Sequence, residues 1–193
     1  MNLLRAFIAL ELPTFLQDAI RISTASLQKK LGLDLIRWTP AHNVHLTLKF
    51  LGDVSPANMD ILKQMLTMES AQHSAFDIHV EGIGSFPNPK RPRVLWVGLN
   101  APATLSSLAR GIETASAKLG YPTEERGFSP HLTIGRVRQN APTTDLQKIR
   151  TALEEIKVGN LGMAHIDAVN LYKSELQSSG SVYTRLFSAP LGK

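Results

Sequence analysis

His45-Leu46-Thr47-Leu48 and His131-Leu132-Thr133-Ile134 are one four-residue phrase written twice in this chain. Each sets a histidine and a threonine two positions apart, alternating with branched aliphatic residues. At the two-residue period of a β-strand, the polar pair points to one face and the aliphatic pair to the other. Such a strand has a chemical face and a core face. One copy alone carries little weight, since a histidine in a strand is commonly a satisfied structural residue. Two copies at corresponding places of a duplication bring two imidazoles and two hydroxyls to one cleft. That is the inventory for acid–base chemistry on a phosphodiester.

Other landmarks recur in order at nearly one offset. Arg5-Ala6-Phe7-Ile8-Ala9-Leu10 and Arg93-Val94-Leu95-Trp96-Val97-Gly98 are short apolar strands 88 positions apart. Gly32 and Gly120, Ser55 and Thr143, and Ile78 and Ile166 keep the same 88, while the two motif histidines stand 86 apart. The pattern reads as an internal repeat, about 1–86 and 93–193, within a single two-lobed domain spanning 1–193.

Each half reads strand, helix, strand, helix, strand. The first helix is expected from about Pro13 to Leu31, with Leu12, Leu16 and Ile20 on one face and Gly32 as its stop. Its counterpart is expected from about Pro102 to Leu119. Ser55-Pro56 caps the second helix, and Thr144-Asp145-Leu146-Gln147 resembles a capping box for the fourth. Lys29-Lys30 reads as a helix C-terminal pair. Phe86 to Pro92 and Leu176 to Ser181 read as flexible loops.

Composition limits the alternatives. The 193 residues are 43% hydrophobic and contain no cysteine, so disulfides and thiolate metal sites are excluded and a cytoplasmic location is expected. No apolar run approaches the ~18 residues of a membrane span. Leu3 to Leu10 reads as a buried strand rather than a signal peptide, because Arg5 interrupts it and Glu11 closes it. The net charge of +5 favours a polyanionic partner, nucleic acid being the commonest.

Displacement by water at a phosphodiester needs a base for the attacking water and an acid for the departing oxygen. Imidazole, with an ordinary pKa near ~6.5, fills either role. Threonine hydroxyls aimed at the non-bridging oxygens hold the phosphate and stabilise developing charge. No cofactor or metal is needed. Arg136 is a candidate for contact with phosphate or RNA backbone. Trp38, Phe7 and Phe50 read as core, and His42, His73, His79 and His165 as structural or exposed. Two other classes stand beside this reading: a protein that binds or joins RNA ends, and a metal-dependent hydrolase using His42, His45 and His131.

The motif surroundings, Arg37-Trp38-Thr39-Pro40-Ala41-His42-Asn43-Val44-His45-Leu46-Thr47-Leu48-Lys49-Phe50-Leu51-Gly52 and Phe128-Ser129-Pro130-His131-Leu132-Thr133-Ile134-Gly135-Arg136, closely resemble those of the two-histidine phosphoesterase superfamily. The resemblance is to its RNA 2′,3′-cyclic phosphodiesterases, also called 2′-5′ RNA ligases, and runs from Arg5 to the Leu171-Tyr172 strand. It implies an α+β, two-lobed pseudo-symmetric fold, two antiparallel sheets facing a central cleft with helices outside. It implies hydrolysis of RNA 2′,3′-cyclic phosphate ends, tRNA-derived ends among them, to 2′-phosphates, with reversible 2′-5′ ligation, by a monomer. It makes His45 the proton donor, His131 the proton acceptor, and Thr47 and Thr133 the phosphate-binding residues.

Overall fold

The apolar strand read at Leu3–Leu10 lies in the interior of a curled antiparallel sheet. The computed structural model describes residues 3–178 and 180–192. These hold nine strands and four α-helices: β1 (Leu4–Glu11), α1 (Thr14–Leu35), β2 (Ile36–Trp38), β3 (His45–Val54), α2 (Met59–Ser70), β4 (Phe76–Phe86), β5 (Val94–Asn100), α3 (Ala103–Lys118), β6 (Leu132–Val137), α4 (Thr143–Glu155), β7 (Gly162–Ile166), β8 (Ala168–Gln177) and β9 (Gly180–Pro190). The strand order is β7-β4-β5-β6-β3-β1-β8-β9, with β2 added beside β6. The fold is α+β and two-lobed, as expected.

The sheet passes from one lobe to the other through one residue pair. β3 and β6 are hydrogen-bonded as strands at Leu46 and Leu132 alone. One lobe is β3-β1-β8-β9 and the other is β6-β5-β4-β7 with β2. The chain crosses over between them. β4, from the first half of the sequence, pairs with β5, and β8, from the second half, pairs with β1. The Ile78 and Ile166 landmarks are therefore not equivalent positions. β7 lies beside β4 with Phe76 opposite Ile166, and β8 is the strand that stands to β1 as β4 stands to β5. Two short apolar strands adjoin near residue 167, and spacing alone does not say which one corresponds to β4.

Helix faces and stops follow the sequence closely. α1 buries Leu16, Ile20, Leu27 and Leu31, and α3 buries Leu105, Leu108 and Ile112. Gly32 interrupts α1 with a φ of 70° and Gly120 ends α3 with a φ of 88°, backbone that favours glycine. One further turn past that kink carries the chain to Leu35, and Lys30, in the last turn before Gly32, pairs with Glu155 of α4. Ser55 accepts from the Ala57 amide and caps a short 3₁₀ turn, Pro56–Asn58, that leads into α2. The Thr144 capping box does not form. Thr144 lies inside α4, and the Pro142 carbonyl takes the amides of Asp145 and Leu146. The Leu176–Ser181 stretch is the turn end of the β8–β9 hairpin, and its Ser179 lies outside the described residues.

The core fills the space between the sheet and the helices. Ile8, Leu10, Leu46, Leu95, Val97 and Leu132 come from the strands; Leu16, Leu62, Leu105 and Ile149 come from the helices. Each fully buried aliphatic side chain contributes roughly 1.5–3 kcal/mol. That core fixes which way every strand residue points.

Candidate active site

Leu46 and Leu132, the one ladder pair between β3 and β6, are fully buried on the core face. Alternation turns His45, Thr47, His131 and Thr133 to the opposite face, where all four are half-buried. The antiparallel pair of Leu46 and Leu132 places both motifs on one face of the sheet, on either side of that pair. The seam of the sheet thus collects two imidazoles and two hydroxyls.

Both rings are held the same way. His45 Nδ1 lies 2.7 Å from the Asn43 carbonyl oxygen, and His131 Nδ1 lies 2.8 Å from that of Ser129. A carbonyl only accepts, so Nδ1–H donates in each case and Nε2 is left free for chemistry. Asn43 is itself fixed, its side-chain amide donating to the Ser181 carbonyl at 2.8 Å and drawing the β8–β9 hairpin over His45.

The two histidines have different walls. His45 stacks on Phe7 at 4.8 Å and meets the edge of Tyr183 at 5.2 Å. Tyr172 stacks on Phe7 at 5.3 Å and lies 6.5 Å from His45. Burial in this aromatic box pushes the His45 pKa below the ordinary value near 6.5, and the bond to Asn43 opposes the shift only in part. Burial, with Glu11 close by, also pushes the Tyr172 hydroxyl up to about 12. His131 meets only the edge of Phe86, at 4.9 Å. Trp96, opposite Thr133, fits because Gly84 has no side chain; a Cβ there would lie 2.4 Å from the indole.

A bulge follows each motif threonine. In β3 the register slips at Leu48, so Lys49 turns to the core side and Phe50 to the cleft side. Lys49 is 4% exposed, pairs with Glu113 of α3 at 2.6 Å and bonds the Pro122 carbonyl. Phe50 is 64% exposed beside Phe7, which corrects its reading as a core residue. β6 slips in the same way at Ile134, which turns Gly135 inward and leaves Arg136 exposed on the cleft side.

Phe7 is buried as expected, and Trp38 is half-buried, its indole N–H donating to the Gly32 carbonyl at 3.0 Å. Phe7 is also the wall of His45, a contact between strands that sequence spacing does not reveal. The other histidines lie elsewhere. His42 is exposed on the 3₁₀ turn Ala41–Asn43, His79 is exposed on β4, His73 bonds Glu69 at 3.1 Å and His165 bonds Asp77 at 2.7 Å. Among the described residues, no three His, Asp or Glu side chains converge as metal ligands. No helix among them is long and apolar enough to cross a membrane.

The chain is similar to known proteins. The family model for LigT-like phosphoesterases matches residues 12–96 and 97–183. An RNA 2′,3′-cyclic phosphodiesterase of Methanothermobacter thermautotrophicus is 32% identical over 180 residues, covering 93% of this chain and 95% of that one. One of Aquifex aeolicus is 31% identical over 188 residues, covering 95% of both. The crystal structure of Escherichia coli LigT complexed with 3′-AMP superposes with a TM-score of 0.79 at 25% identity, covering all of both chains.

Proposed function

The chain belongs to the LigT-like phosphoesterase family, and from that membership and the seam between β3 and β6 we propose that it opens RNA 2′,3′-cyclic phosphate ends to 2′-phosphates. His131 Nε2, unprotonated, takes a proton from water as the water oxygen bonds to phosphorus. The bond from phosphorus to the 3′ oxygen breaks on the far side, and His45 Nε2–H delivers its proton to that oxygen. Thr47 and Thr133 donate to the non-bridging oxygens, in a site where preorganised donors are worth far more than in water. Every proton and charge is accounted for by these four side chains, and no metal takes part.

The burial of His45 bears on this scheme. Its depressed pKa makes it neutral in the free protein near pH 7. An anionic phosphate at the seam favours the imidazolium, so substrate binding itself charges the acid. After turnover His131 holds a proton that His45 has lost, and exchange with solvent resets the pair. Run with a 5′-hydroxyl of RNA in place of water, the same step joins two ends through a 2′-5′ linkage.

The observation that carries the reading is the matched fixing of both rings, Nδ1 on a carbonyl two residues back and Nε2 free, at one seam. The proposed repeat of about 1–86 and 93–193 supplies one motif from each half. The test is the product. A short RNA with a cyclic phosphate end, incubated with a chelator present, should yield the 2′-phosphate when run against 2′- and 3′-phosphate standards. A 3′-phosphate overturns the assignment of the leaving oxygen, and no turnover overturns the hydrolase reading in favour of an RNA-end-binding protein.

A further inference from the structure

β2 brings to the cleft a second arginine, outside the two His-x-Thr phrases. Arg37 stands directly opposite Arg136, with Ile36 opposite Val137 and Trp38 opposite Gly135. Ile36 is buried, Trp38 bonds α1 at Gly32, and a Cβ on Gly135 would run into both side chains. That row faces the helices. Alternation therefore turns Arg37 and Arg136 to the face that carries the motif histidines and threonines.

Both arginines are exposed, and no carboxylate among the described residues pairs with either. The other lobe is different. There Arg185, across from Tyr172, is neutralised by Glu11 at 2.8 Å. Arg185 is thus charge-paired where Arg37 and Arg136 are not. Like charges directly opposite on neighbouring strands weaken a sheet, and an anion between the two guanidinium groups removes that repulsion. The fixed fork of arginine donors suits phosphate oxygens. Thr133 pairs with Trp96 and Arg136 with Val94, two residues apart on β5, so Arg136 stands about 7 Å along the strand at 3.3 Å per residue, away from the phosphate that the threonines hold.

We propose that Arg37 and Arg136 form a second phosphate subsite, which grips the phosphodiester adjoining the cyclic end and so selects RNA chains over cyclic mononucleotides. This rests on the two-histidine reading, because it takes the seam as the place of the reacting phosphate.

The measurement is the ratio of kcat/KM for a short oligoribonucleotide with a 2′,3′-cyclic end to that for the matching cyclic mononucleotide. Arg37→Gln should lower this ratio about tenfold or more, the scale of a hydrogen bond to a charged group. The salt dependence for the oligomer should become shallower by about 0.7 log units per log unit for each phosphate that is no longer neutralised. Arg37→Lys should fall between, keeping the charge without the fork. The thermal midpoint of Arg37→Gln should equal or exceed that of the parent, since a like-charge pair is relieved. An unchanged ratio with an unchanged salt slope overturns the subsite.

His131→Ala on both substrates separates the two ideas, because it tests the seam without touching the arginines. If the parent protein turns over neither substrate, the two-histidine reading fails by itself. Fluorescence anisotropy with a labelled RNA ending in a 2′-phosphate then decides the subsite. Weaker, less salt-sensitive binding by Arg37→Gln supports it, and equal binding refutes it.

Discussion

Replacing His45, His131 and then both by alanine separates shared catalysis from two independent contributions. A general acid or base is worth typically 10²–10⁴-fold, which at 1.36 kcal/mol per decade is about 3–5 kcal/mol of barrier for each single change. Independent effects would multiply to roughly 10⁴–10⁸-fold in the double variant. If both imidazoles serve one displacement, the second substitution finds little rate left to remove, and the double variant should sit near the worse single. The structure adds a stability difference that must be measured alongside. His45 is wedged between Phe7 and the edge of Tyr183, whereas His131 touches the edge of one ring. His45→Ala opens a void in the aromatic box and should lower stability by about 1–3 kcal/mol; His131→Ala should lower it by less. The assay is single-turnover opening of a cyclic-phosphate RNA, with urea unfolding of each variant. Near-parental turnover by either folded single variant, or a double variant equal to the product of the singles, refutes the shared displacement.

Phe50→Ala should leave urea stability nearly unchanged, since the ring is mostly exposed, and should weaken RNA binding by about 1–3 kcal/mol if a base stacks there; fluorescence anisotropy reads the difference. Lys49→Met removes one partner of a buried ion pair with Glu113 and should lower unfolding stability by about 3 kcal/mol, whereas replacing both partners by apolar residues should cost less. The pH dependence of stability carries the mark of His45. Its native pKa lies below the unfolded value near 6.5, so the unfolded chain takes up a proton that the native state resists. That component of stability is intact above pH 6.5 and is lost as pH falls below it. Urea midpoints at pH 7.5 and 5.5 should therefore differ less in His45→Ala than in the parent, and equal differences would remove burial as the cause.

The motif strands are legible in the sequence because a strand buried on one face writes its burial into alternating positions. The helices are legible because Leu16, Ile20 and Leu105, Leu108, Ile112 repeat at helical spacing. What lies beyond the sequence comes from contacts between strands. Phe7 walls His45, Trp96 needs Gly84, and Arg37 faces Arg136 only because particular strands are neighbours. The bulges, by contrast, do leave a trace in the sequence. In β3 and the residue before it the buried aliphatic residues are Val44, Leu46 and Leu48, then Leu51 and, past a second slip, Val54; in β6 they are Leu132 and Ile134, then Val137. Each series steps from even to odd positions immediately after the motif. A strand whose core residues change parity must carry an extra residue, which is a bulge. Unbroken alternation through Lys49 would put that lysine in the cleft and Phe50 in the core, the reverse of what the bulge produces. The same correction applied to both motifs leaves Phe50 and Arg136, each three residues past its threonine, as side chains turned toward the cleft. One is aromatic and the other cationic, so the departure from symmetry falls where a nucleotide with unlike ends would require it.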